Sequence, residues 1–117
     1  MIPFRRQCTT MALSAGAATL PLVALPGPFL GLFGVQAPVL GPLLGFVFLA
    51  LAGTLWGVRD VEDPAARKAV IIGNAVCDAG ATGVLVWATV AGSLPVTGWV
   101  LAAVFAINAL SWAATAR

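Results

Sequence analysis

Residues 38–58 and 96–116 hold no charged side chain, and residues 69–91 hold one, Asp78. A helix needs about 20 mostly apolar residues to cross a bilayer, and each of these runs supplies them. A fourth apolar stretch, residues 10–25, is shorter and Ala-rich, and it contains Pro21. It ends at Pro26-Gly27-Pro28, which cannot continue a helix. A soluble domain would have about a quarter of its residues charged. Here 9% are charged and 61% are hydrophobic, so lipid is the expected solvent for most of the surface. The pattern predicts an all-α, integral membrane four-helix bundle in one transmembrane domain. The expected helices are residues 10–25, 38–58, 64–91 and 96–116.

The charges give this architecture a direction. All six basic residues lie in three places: Arg5 and Arg6, then Arg59, Arg67 and Lys68, then Arg117. The connections at residues 26–37 and 92–95 have no Lys or Arg. Four crossings put every basic segment on one face, and the positive-inside bias makes that face cytoplasmic. Both termini and the 59–68 loop are therefore expected inside. A cleaved signal sequence would share the basic start and apolar run of residues 1–25. Its removal would leave three crossings and place the charged loop and the C-terminus on opposite sides, so we expect a retained helix.

Local signals refine the ends. Asp63 reads as an N-cap, with Pro64 at the first helical position, where its missing N–H costs nothing. Arg67 and Lys68 are expected to snorkel to the phosphates. Trp56 and Trp112 fall near the cytoplasmic ends of the second and fourth helices, and Trp87 and Trp99 toward the outer face. All four are expected as interface anchors. The 26–37 connection is apolar for a loop, with Phe29, Leu30, Leu32 and Phe33 set to dip into the outer interface or pack on the bundle.

Two intramembrane patterns are candidate sites. Gly41, Gly45, Gly53 and Gly57 recur at spacings of four, with Leu49 filling the gap. Small residues so placed let another helix approach closely, either within the bundle or from a partner. The second pattern is polar. Asn74 and Asp78 share a face, and Asn108 and Ser111 lie on the fourth helix. A lone Asp at mid-membrane costs about 2.5–3.5 kcal/mol on insertion scales, so it should face inward and find a partner. An Asn74–Asp78–Asn108 cluster is expected, with Asn108 near the level of Asn74. It would either fix helix register or bind a ligand or proton. Arg59 is the one plausible cationic partner for Asp78.

Other chemistry is excluded. There is no His, hence neither the commonest general base nor the commonest metal ligand. Cys8 and Cys77 form no C-x-x-C pair and read as separate small apolar residues. No nucleophile–base pair, metal cluster or phosphate-cradling loop occurs, and no basic run is long enough to track nucleic acid. We expect no enzyme, no cofactor and no metal.

From Pro28 onward the order of features resembles a group of uncharacterised four-helix bacterial inner-membrane proteins, DoxX-like in outline. Residues 28–35 (PFLGLFGV), Leu44-Gly45, Trp56-Gly57, residues 60–67 (DVEDPAAR) and Gly98-Trp99 carry the likeness. The group usually has Ala-Arg at the start of its second helix, where this chain has Val39-Leu40. The resemblance implies fold and membrane location. The expected function is a non-catalytic accessory or scaffold subunit bound by other membrane-protein subunits in the bilayer. The alternative is a small ligand-binding or transport protein for a lipid, quinone or pigment, working through the polar cluster at Asp78.

Overall fold

A computed structural model describes residues 1–116; the basic side chain of Arg117 lies outside the described residues. Among them the chain forms five α-helices and no strand: α1 Phe4–Ala24, α2 Pro26–Gly31, α3 Leu40–Val58, α4 Pro64–Val90 and α5 Gly98–Ala113. Two of these, α3 and α4, are long and apolar enough to cross a membrane, and α5 is a shorter apolar helix. At 1.5 Å per residue, α3 spans about 28 Å, close to the hydrocarbon thickness, and α4 about 40 Å. The extra length of α4 lies at its polar start. There Asp63 caps the helix, its Oδ2 accepting from the Ala66 N–H at 2.8 Å, with Pro64 in the first turn.

Two elements differ from the sequence expectation. Helix α1 begins at Phe4, not near residue 10, so Arg5 and Arg6 sit in its first turn. Hydropathy marks only the lipid-compatible part of a helix, and nothing in residues 4–9 opposes helix formation. The connection expected to be irregular from Pro26 contains α2. Leu25 leaves the helical region (φ −131°, ψ 56°), and Pro26 then starts a new helix at the position where proline is tolerated. Proline ended one helix and began the next.

The chain forms two compact units, Cys8–Asp60 and a second made of Met1–Gln7 with the chain from Val61 onward. In the first, α1 and α3 run antiparallel, as Gly45 lies against Leu22 and Val23 while Gly16 faces Ala52 farther along. The Thr19 hydroxyl shares its one hydrogen between the Ala15 carbonyl of its own helix at 3.1 Å and the Gly45 carbonyl at 3.2 Å. α2 packs on the start of α3, and the Phe29 and Phe33 rings meet edge-on at 5.7 Å.

In the second unit α4 and α5 pack as an antiparallel pair. Gly92 turns the chain with φ +79°, and the Ser93 N–H closes back on the Ala88 carbonyl at 2.9 Å. A Cβ on Gly98 would strike the Thr89 hydroxyl, so glycine lets α5 start hard against the end of α4. At the other end, residues 1–7 clasp the end of α5. Ile2 donates to the Ala114 carbonyl at 2.9 Å and accepts from the Ala116 N–H at 2.8 Å. Phe4 is buried beneath the Arg67 guanidinium, 5.3 Å from its ring. Arg67 Nε donates to the Val61 carbonyl at 2.7 Å, so this side chain folds back onto the protein. The starts of α1 and α4 and the end of α5 therefore lie together.

Candidate functional site

The polar residues that the sequence singled out on α4 and α5 lie on an antiparallel pair of apolar helices. Half-buried and buried positions on α4 recur at three and four, through Ile71, Asn74, Asp78, Ala81, Leu85 and Thr89. This is the stripe a helix presents to its neighbours. Asp78 is central on it. It lies 14 residues after Pro64, about 21 Å along the axis, and 12 before Val90.

Its depth relative to α5 follows from the contact of Gly98 with Thr89. Asp78 lies eleven residues before Thr89, and Asn108 lies ten after Gly98. On antiparallel helices these displacements, about 16 and 15 Å, bring Asn108 level with Asp78. The sequence count had set Asn108 at the level of Asn74. The tighter turn at Gly98 moves it by about one helical turn.

The cluster is not joined by side-chain hydrogen bonds. Asn74 Nδ2 donates to the Val70 carbonyl in its own helix at 2.8 Å. The Asp78 backbone carbonyl accepts from the Thr82 hydroxyl at 2.8 Å, but its carboxyl has no hydrogen bond or ion pair among the described residues. The Asn108 side-chain amide has none either, although its backbone carbonyl accepts from the Ser111 hydroxyl at 2.8 Å. Arg59 does not serve Asp78. Its guanidinium lies 3.8 Å over the Trp56 ring, its Nη1 donates to the Trp56 carbonyl at 2.8 Å, and its Nε lies 3.5 Å from Asp60 Oδ2. The adjacent aromatic ring and carboxylate engage the guanidinium within its own unit.

Ser111 belongs to a different group. Its hydroxyl accepts from Gln7 Nε2 at 2.7 Å, and Gln7 is 3% exposed. The Thr115 hydroxyl donates to the Ser111 carbonyl at 2.8 Å. Sequence reading passed over Gln7. The signal was its place on one helical face with Phe4 and Cys8, both buried.

The glycine stripe is divided. Gly41 and Gly45 are buried, and a Cβ at either would collide with Leu22, Val23 or Pro26. Gly53 and Gly57 are exposed, with nothing within 4 Å of a built Cβ. The tryptophans divide too. Trp56, Trp87 and Trp99 are exposed, but Trp112 is 1% exposed and packs inside the protein. Cys8 is buried and Cys77 exposed, and neither is in a disulfide. Among the described residues no group of three His, Cys, Asp or Glu could hold a metal.

Compared with family models, with curated proteins and with solved structures, the chain matches none.

Proposed function

We propose that the chain is a four-crossing protein of the bacterial inner membrane, with both termini and the 59–68 loop in the cytoplasm. In this reading it is a non-catalytic accessory subunit of a larger membrane complex. The observation that carries the proposal is the apolar exterior. Phe46, Val47, Val76, Trp87, Ile107 and Leu110 are each more than 60% exposed. On α3 only Gly41, Gly45 and Leu55 are buried, and on α4 only Ile71. Burial of one large apolar side chain is worth about 1.5–3 kcal/mol, so such a surface favours lipid or apolar partner helices over water. The terminal clasp supports the topology. Ile2 bonded to the end of α5 fits an even number of crossings.

Mild detergent extraction of the tagged chain, followed by native mass measurement, tests the reading. Stoichiometric company of other subunits is expected. A free monomer or small homo-oligomer would overturn it. A second reading, binding of a lipid, quinone or pigment, draws on the unpartnered Asp78 carboxyl; a small molecule retained after extraction and lost in Asp78→Asn would favour it.

A further inference from the structure

We infer that Asp78 is the docking point for a transmembrane helix of another protein, one carrying a lysine or arginine at mid-bilayer depth. This rests on the accessory-subunit reading and names the chemistry of the partner. Five polar side chains on α4 and α5 are satisfied within their own helix: Asn74 by Val70, Thr82 by Asp78, Thr89 by Leu85, Ser111 by Asn108 and Thr115 by Ser111; the Asn108 amide, at the level of Asp78, is not. Asp78 departs from that pattern. It is half-buried, sits mid-helix, and its carboxyl has no partner among the described residues. A carboxyl at that depth costs about 2.5–3.5 kcal/mol unless paired.

Among the described residues no cation pairs with Asp78. Arg59 is held by Trp56 and Asp60, and Arg67 by Phe4 and Val61. Arg5 and Arg6 lie in the first turn of α1. Lys68 lies ten residues before Asp78 on α4, about 15 Å along the axis. A second copy would bring the same shortage. A basic residue on a foreign helix carries an equal insertion penalty, and the pair relieves both. An ammonium has three donors; the carboxylate accepts from it, and the Asn108 amide oxygen at the same level supplies a second acceptor.

The test uses the full tagged chain in phosphatidylethanolamine–phosphatidylglycerol nanodiscs with synthetic polyleucine helices. One helix carries a central Lys; controls carry Leu or Gln there, or Lys near one end. The central-Lys helix should co-purify about tenfold better than the Leu helix, equivalent to about 1.4 kcal/mol. Asp78→Asn should abolish the preference, Asp78→Glu should keep most of it, and Asn108→Ala should reduce it severalfold. Circular dichroism and particle size verify that each variant is folded. Equal recovery of all helices, a preference that survives Asp78→Asn, or Gln binding as well as Lys would overturn the inference. So would Asp78-dependent self-association without any added helix, which would make a second copy the occupant. Failure here would leave the native-mass result standing, and a free monomer there would leave this assay interpretable.

Discussion

The two halves of the α3 glycine stripe have the same spacing and opposite surroundings. Gly41 and Gly45 are closed over by Leu22, Val23 and Pro26, to the point that a single added methyl has no room. Gly53 and Gly57 stand in open space. A G-x-x-x-G pattern therefore states that close approach is possible, not that it occurs. The closed half is where α1 ends and α2 begins, so the chain's own backbone arrives there. Among the described residues nothing lies within 4 Å of a Cβ built at either glycine of the open half.

Substitutions at the closed and open positions should differ in cost. The largest effect is expected for Gly45→Val, whose side chain meets Val23 Cγ2 at 2.6 Å from the Cβ alone. We expect a loss of about 2–3 kcal/mol, read by reversible unfolding in mixed micelles. Gly98→Ala extends the comparison to the second unit, where the added Cβ meets a hydroxyl at the end of a side chain instead of a packed methyl. Rotation of Thr89 can relieve part of the clash, so about 1–2 kcal/mol is expected in the same assay. Thr19→Val removes the donor shared by the Ala15 and Gly45 carbonyls while keeping the shape, and should cost about 0.5–1 kcal/mol. Gly53→Ala and Gly57→Ala should each be neutral or stabilising by up to about 0.5 kcal/mol, since alanine is the better helix former. A loss above about 1 kcal/mol at either position would show that the open half is filled, and the contrast would fail.

The sequence was most legible where one physical effect dominated. The charge-free runs located α3 and α5, and Asp63-Pro64 fixed the start of α4, because insertion cost and capping are local. Reading stopped where two segments distant in sequence decide the outcome. Gln7 is a polar residue near a basic start until Ser111 arrives 104 positions later. Trp112 looks like a belt residue until its burial is seen. The level of Asn108 depended on how tightly α5 begins at Gly98, which a count from helix ends cannot supply. The start of α1 was missed for a simpler reason: hydropathy finds the lipid-facing part of a helix and is silent about its polar extension. For the candidate site, the sequence singled out Asp78, but the occupation of Arg59 by Trp56 and Asp60 required the structure.

The proposed crossing pattern fixes which connections face which side of the membrane. Single cysteines introduced at Gln36, Glu62 and Ser93 would be treated with a membrane-impermeant maleimide in intact spheroplasts, with the parent chain as control for Cys8 and Cys77. Labelling is expected at Gln36 and Ser93, with Glu62 protected until the membrane is permeabilised. Labelling of Glu62 from outside, or protection of both Gln36 and Ser93, would contradict it.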